Sequence, residues 1–371
     1  MFKYDVLIDE EDICNYEEEI KRLDRYVNGG EKILLFAPRR FGKTSVLVNV
    51  TGKHFLARKK SAIFCYVNLQ EVKDLDSIAI RFSHALTDVI NKVFSIKVIA
   101  SNILKLLKSL RPEIKVDSLS GETKLTISTE TTDKRSLHDI FNSLLGLGSE
   151  YPLLLVMDEF QDVVFVPEAE ALLRDLTQKL NKGSIIISGS KKHLLKDIFL
   201  DERRPFYNWG KSLELKEISF ENWKPYILER MKNKKIRLDD DALRFIIQSG
   251  YHIPNYICKL CSDIYNSHEH EAVEISEIKN IIHHGYLDAQ SRYAEKVAFL
   301  SIKQVKFLSV IAKNGYIKEV TSQATVSESG ISARGMSQMC NLLMDKGYVE
   351  KDENGVRIAD PFFAYYLSQE Y

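Results

Sequence analysis

A chain of 371 residues, 44% hydrophobic and 28% charged, has the composition of an ordinary globular protein with room for two or three cores. Lys+Arg and Asp+Glu both total 52, so no net charge draws the whole molecule toward nucleic acid or an anionic membrane. No apolar run reaches the length of a membrane span, and the acidic N-terminus lacks the apolar core of a signal peptide, which sets a cytoplasmic expectation.

Residues 16–26 read as an acidic helix, and Asn28-Gly29-Gly30 supplies a C-cap and turn. The apolar run 33–36 then predicts a buried strand. After it comes a short turn, Ala37-Pro38-Arg39-Arg40-Phe41-Gly42, and Lys43-Thr44-Ser45 opens a helical run. Strand, loop, Gly-Lys-Thr and helix in that order are the layout of a phosphate-binding loop. Backbone N–H groups and the positive end of the helix would cradle phosphates, Lys43 would reach the β- and γ-phosphates, and the Thr44 hydroxyl would bind Mg²⁺. The pattern asks for Gly at its first position, where this chain has Ala37. The alternative is a chance Gly-Lys-Thr in a surface loop.

Residues 61–69 predict a second buried strand, and 76–110 a long helix in which Phe82, Leu86, Ile90 and Val93 share one face. The Ser/Thr-rich alternation at 123–132 suggests a short exposed strand or loop, and Ser136 opens an amphipathic helix to Leu145. Five apolar residues, 153–157, run into Asp158-Glu159. A buried strand that delivers acids at its carboxyl end is the second half of a nucleotide site. Asp158 would hold Mg²⁺ and Glu159 would activate the attacking water. A core strand ending in surface acids is the plainer alternative. Residues 168–180 predict another helix, and 183–190 a strand ending in Ser188 and Ser190, both candidates for sensing the γ-phosphate. Strands alternating with helices over 30–215 predict a doubly wound parallel sheet. Arg203 and Arg204 lie in a stretch without periodicity, either as a solvated loop or as cations facing a nucleotide.

Beyond residue 215 the pattern turns helical, at 222–232, 239–249 and 256–266, as in a small lid. Cys258 and Cys261, with His268, His270, His283 and His284 nearby, allow a zinc site. No second pair follows at zinc spacing, and the i, i+3 placement fits a buried helical stripe better. The odd total of five cysteines argues against a disulfide framework. From 296 a helix at 303–313, a turn at 327–332, a helix at 333–346 and two short strands around Asp352-Glu353-Asn354-Gly355 describe a winged helix. The expected division is therefore 1–215, 216–295 and 296–371.

The order APRRFGKTS, LLLVMDEFQDV, SIIISGS, a helical lid with Gly-x-x-x-Pro and a winged helix ending DPFFAYYL resembles the archaeal-type ATPases of the STAND class, among the AAA+-related P-loop ATPases. The resemblance spans nearly the whole chain. It implies a doubly wound P-loop domain with a helical lid and a C-terminal winged helix. It also implies ATP and Mg²⁺ as cofactors. Nucleotide contacts would come from Pro38, Arg39, Arg40, Phe41, Gly42, Lys43, Thr44 and Ser45, with Pro254 near the adenine. Thr44 and Asp158 would hold the metal, and Glu159, Asp158, Ser188 and Ser190 would act in hydrolysis. Three departures stand out: Ala37, the N-terminal Tyr16-Glu17-Glu18-Glu19 where relatives carry Arg-Glu, and Trp209-Gly210-Lys211 where Tyr-Gly-Arg is usual. The last leaves the identity of any trans-acting arginine open.

Three functions are compatible with this reading. The first is an ATP-driven switch that acts on a protein partner or on further copies of itself. The second is a DNA-binding ATPase or regulator, and the third a nucleotide-binding scaffold without turnover. Residues 296–371 hold nine Lys/Arg against eight Asp/Glu, too balanced for a DNA reader unless the cations gather on one face. The intact Lys43, Asp158 and Glu159 argue against a scaffold.

Overall fold

The apolar runs become neighbouring strands of one parallel sheet. In the computed structural model, which describes residues 1–93, 112–116, 123–127, 134–180, 182–269, 271–352 and 355–371, the strands begin with β1, Lys32–Phe36, and β2, Ile63–Asn68. Next come β3, Pro112–Val116, and β4, Thr123–Ile127, an antiparallel pair apart from the main sheet. β5 is Leu153–Asp158, β6 is Gly183–Gly189 and β7 is Lys211–Glu214. The main sheet has the order β2-β5-β6-β1-β7, with every pairing parallel.

Every residue of β5 is buried. Leu153, Leu155 and Met157 join one core with Leu34, Ile185 and Ile187, while the alternate residues Leu154, Val156, Ile33, Leu35 and Ile186 are as deeply buried on the opposite face. Covering both faces with helices is what makes these strands read as continuous apolar runs. The helix Leu75–Val93 packs against the helix Lys134–Glu150 and against β2. Its face Phe82, Leu86 and Ile90 is fully buried, as the spacing predicts. The expected continuation of that helix past 93 lies outside the described residues.

Register fixes what the sheet presents. Phe36 pairs with Gly189, Leu35 with Ser188 and Asn68 with Asp158, so β1, β6, β5 and β2 end along one carboxyl edge. Because β6 separates β1 from β5, the loop after β1 and the acids after β5 flank the end of β6. The fifth strand, β7, was not anticipated: KSLE is short and polar, as an edge strand can be. It joins β1 through Gly210, whose φ is +74° and whose missing Cβ would lie 2.9 Å from the Lys32 carbonyl oxygen. Only glycine fits there.

The chain divides into two compact units, one of Asp5–Glu217 and one of Ile218–Tyr371 with Met1–Tyr4. In the second unit the helices Phe220–Met231, Asp240–Ser249 and Pro254–Ser267 match the sequence reading to within a few residues. A fourth, Ile275–Ala298, was not anticipated. It crosses the expected 295/296 boundary and contributes Tyr286, Tyr293 and Val297 to the core that follows. That core belongs to a winged helix, made of Ile302–Asn314, Gln323–Ser329, Ala333–Asp345, the antiparallel pair β8, Val349–Asp352, and β9, Gly355–Ile358, and a last helix Pro361–Glu370. One expectation is corrected here. Residues 327–329 end a helix capped by Ser322, whose side chain accepts from the Thr325 N–H, and the turn is confined to Gly330 and its neighbours. Ser301, Ser332 and Asp360 cap the other helices of the domain in the same way.

Cys258 and Cys261 are both buried on the helix Pro254–Ser267, as a packed stripe. His270 lies outside the described residues, as does the turn at 353–354. Among the described residues no group of three His, Cys, Asp or Glu side chains is placed to hold a metal ion, and no helix is long and apolar enough to cross a membrane.

Candidate functional site

The loop after β1 is anchored at both ends and open between them. The Ala37 N–H donates to the Gly189 carbonyl at 3.4 Å, and Ala37 and Phe41 are buried, whereas Pro38, Arg39 and Arg40 are exposed. Arg40 and Gly42 take left-handed φ values of +66° and +79°. Where a Cβ on Gly42 would stand, no atom lies within 4 Å. The helix that starts at Lys43 therefore opens beneath an uncrowded turn, with its first N–H groups lacking intrahelical partners. That helix widens to π spacing over Val46–Gly52 and returns to α winding at Lys53–Arg58.

Lys43 is 6% exposed and turns toward β5. Its Nζ donates to Asp158 Oδ1 and, at 2.7 Å, to Glu159 Oε1. Asp158 is 1% exposed and accepts from three further side chains: Ser188 Oγ at 2.5 Å, Tyr66 Oη at 2.8 Å and Thr44 Oγ1 at 3.4 Å. The Glu159 backbone switches to a left-handed φ of +52°, which ends the strand and swings the carboxylate aside. Its Oε2 accepts from Gln161 Nε2 at 2.7 Å and Ser190 Oγ at 2.8 Å.

Burial is the strongest single influence on both acids and works to raise their pKa values. The Lys43 charge and the hydrogen bonds from Lys43, Ser188 and Tyr66 outweigh it, so Asp158 is held below the ordinary carboxylate range. Glu159 is lowered for the same reasons, with Asp158 opposing and Gln161 helping. Tyr66 is pushed up, first by burial and then by the Asp158 charge it faces, so it stays a neutral donor.

The structure thus brings together Lys43, Thr44, Asp158, Glu159, Ser188 and Ser190, drawn from the loop, β5 and β6. Ser45 is buried beside them, but its Oγ accepts the Ile8 N–H at 3.1 Å and ties down the N-terminal segment. Pro254 belongs to the other unit, as the first helical residue of Pro254–Ser267. Arg203 pairs with Asp201 at 2.8 Å while 89% exposed, and Arg204 pairs with Glu170 at 2.5 Å. Between them and β7 the chain is pinned by Phe206 and Trp209, buried in an aromatic group with Phe160 and Phe199. Two members of the cluster were not singled out by sequence. Tyr66 sits two residues before the end of β2, and only the strand register, which pairs Asn68 with Asp158, brings it to the site. Gln161 was read only as part of the string LLLVMDEFQDV.

The donors at the metal position are all oxygen, a hydroxyl and a carboxylate, which suits Mg²⁺. A lysine held by one buried and one half-buried acid is a cation that a triphosphate, with its higher negative charge, can draw away.

A family described as "Probable winged helix domain" matches residues 291–369. No curated protein matches the sequence. The fold is similar to that of the Walker-type ATPase PABY2304 of Pyrococcus abyssi, at 18% identity, with 97% of each chain covered and a TM-score of 0.64. It is also similar to the ORC1 protein of Aeropyrum pernix, solved in complex with DNA, at 13% identity over 99% of this chain and 94% of that one, with a TM-score of 0.53. The ORC2 protein of Aeropyrum pernix, solved with ADPNP and ADP, gives 14% identity over 99% and 98% at the same TM-score of 0.53. At such identities the likeness is one of fold. The chain has the P-loop ATPase architecture, a five-stranded parallel sheet flanked by helices, joined to a C-terminal winged helix.

Proposed function

We propose that this chain binds ATP with Mg²⁺ and hydrolyses it as a molecular switch of the AAA+/STAND type. The observation that carries the reading is Lys43, buried at the head of its helix between Asp158 and Glu159. The loop from Pro38 through Gly42 would wrap the phosphates, and Lys43 would leave the acids for the β- and γ-phosphates. Thr44 and Asp158 would hold the metal, which supplies charge neutralisation on the transferred phosphoryl group. Glu159 would orient the attacking water and accept its proton, and Ser188 and Ser190 would report on the γ-phosphate through their bonds to the two acids. The solved neighbours support nucleotide binding as the first reading, since one of them was solved with ADPNP and ADP.

The nucleotide state would bias the helical segment 216–295 and the winged helix 296–371, which would contact a protein partner or another copy of the chain. A DNA-directed role is the second reading. It is favoured by one neighbour solved in complex with DNA and by the exposure of Arg334 early in the helix Ala333–Asp345. Calorimetry with ATP–Mg²⁺ and a phosphate-release assay test the main reading. The wild type should bind and turn over ATP, and Lys43→Ala should lose both while keeping its fold. Unchanged affinity in a folded Lys43→Ala protein would refute it.

A further inference from the structure

The Glu159 carboxylate is held by donors on both oxygens. Oε1 takes Lys43, while Oε2 takes Gln161 and Ser190. Under the ATPase reading, on which this inference rests, Lys43 is drawn to the phosphates. Oε1 is then free to receive a proton, and the geometry of the base depends on what remains at Oε2. A left-handed φ at a residue other than glycine does not fix that carboxylate by itself. Ser190 Oγ is a rotatable hydroxyl on a half-buried residue. Gln161 is different in kind: it is 1% exposed and its amide is constrained at both ends.

At one end Nε2 donates to Glu159 Oε2 at 2.7 Å and approaches Asp162 Oδ1 at 3.4 Å. Exchanging the amide N and O would set an oxygen against each of those carboxylates, so the orientation is forced. At the other end Oε1 is buried and finds no hydrogen-bond partner among the described residues. It lies where a Cβ on Gly189 would be, only 2.1 Å from that position. Gly189 ends β6 without a positive φ, so its backbone would accept alanine. What excludes a side chain there is space. The one other atom near that Cβ position closer than 3 Å is Leu195 Cδ1 at 2.8 Å, the tip of a flexible side chain.

We infer that Gln161, seated over the bare Cα of Gly189, is the positioning residue for the Glu159 carboxylate, and that Gly189 is required because Gln161 occupies the space its Cβ would need. A buried amide oxygen without a partner costs stability, and a chain selected for stability alone would replace it. Here it accompanies the only arrangement that keeps Nε2 on Glu159.

The test is a double-mutant cycle on the full-length protein, with kcat, KM and the Kd for a non-hydrolysable ATP analogue read for each variant. Gln161→Leu should lower kcat roughly 10- to 100-fold, the range expected for losing a hydrogen bond to a charged group, with Kd unchanged. Gly189→Ala should reproduce that loss, because the added methyl displaces Gln161. Adding Gly189→Ala to Gln161→Leu should cost little more. A kcat for Gln161→Leu equal to wild type, or a Gly189→Ala loss that is undiminished in the Leu background, overturns the inference. So does a rise in Kd that accounts for the whole effect, since that marks a general loss of structure. If the wild type neither binds nor turns over ATP, the ATPase reading falls and this inference with it. If the wild type is active and Gln161→Leu matches it, the inference alone falls.

Discussion

The two units bury different things. In Asp5–Glu217 the deeply buried residues include Asp24, Lys43, Asp158 and Asp162, and three of them gather at the carboxyl edge of an otherwise apolar sheet. In the second unit Arg357 alone, among the described residues, is a deeply buried charge. It is spent internally, on Glu350 at 2.6 Å and on the Tyr251 carbonyl at 3.2 Å. The core of the winged helix is apolar, aliphatic side chains packed with the rings of Tyr286, Tyr293, Phe307, Phe363 and Tyr366. Burying charge is expensive unless the charges satisfy one another, and removing one partner costs more than the pair contributes. The first unit bears that expense where a phosphate would sit. The second is built to hold its shape.

The largest expected effect breaks the first unit's chemistry without breaking its structure. Glu159→Gln keeps the donors at Oε2 but removes the proton acceptor, so kcat should fall by about 10²- to 10⁴-fold while ATP stays bound. Turnover at the wild-type rate in a phosphate-release assay would show that Glu159 does not activate the water.

The matching experiment in the second unit is Phe363→Ala. Phe363 is fully buried, stacks on Tyr366 at 6.1 Å, lies 5.4 Å from Tyr293 and carries the Lys296 ammonium 4.3 Å above its ring. Truncation should cost about 3–5 kcal/mol in chemical denaturation. An unfolding midpoint equal to wild type would mean that this core does not support the fold. The same variant sharpens the comparison, because a Kd for ATP that moves with it would show the second unit contributing to ligand affinity in the first.

Tyr66→Phe probes the site more gently. It removes one of the donors that hold Asp158 ionised, so the acid's pKa should rise toward its ordinary value. The Mg²⁺-dependent part of ATP affinity should weaken by about 10-fold, as for one hydrogen bond to a charged group. Equal affinities with and without the hydroxyl, across a Mg²⁺ titration, would remove Tyr66 from the site.

How much of this was legible in the sequence follows from range. The strands β1, β2, β5 and β6 announce themselves because apolar runs with turn signals at their ends are local facts. The loop and the acids carry their own strings, so Lys43, Thr44, Asp158 and Glu159 could be named in advance. The strand β7 could not, because KSLE is an edge strand only by virtue of lying against β1. Tyr66 stayed hidden for the same reason, since it acts on Asp158 from another strand, whereas Gln161 is a near neighbour of Glu159 whose seat is set by Gly189 on β6. Nothing in the end of β6, Ile187-Ser188-Gly189, tells that Gly189 lies under an amide from the segment after β5. The helix Ile275–Ala298 escaped notice although its buried residues Ile278, Ile282, Tyr286, Tyr293 and Val297 lie on one face, because two of the five are tyrosines and the stretch between them is mostly polar. The caps at Ser219, Asp239, Ser301 and Asp360 were not singled out in the sequence either, and in the structure each accepts a backbone N–H of its own helix.

The smallest expected effect concerns DNA. The helix Ala333–Asp345 exposes Arg334, Gln338, Asn341, Leu342 and Asp345, one cation and one anion on the face that a winged helix would offer to a duplex. The apolar run 361–367 is not available as a contact surface, since Pro361, Phe363, Ala364, Tyr366 and Leu367 are buried in the helix Pro361–Glu370. Of the nine Lys/Arg in 296–371, Arg357 is buried and paired, which leaves the exposed balance no more basic than the sequence count. Affinity for duplex DNA comes mainly from phosphate contacts and falls steeply with salt in proportion to their number. A face with one arginine can make few of them. Arg334→Ala should therefore change duplex binding by about twofold or less, against the roughly 1–3 kcal/mol expected of a specific base-reading arginine. The measurement is a fluorescence titration of the full-length protein with duplex DNA at several salt concentrations. Sub-micromolar binding that weakens steeply with salt and is lost in Arg334→Ala would reverse the contrast drawn between the two units. The winged helix would then be the surface that reads a polyanion, and the buried cluster in the first unit the engine behind it.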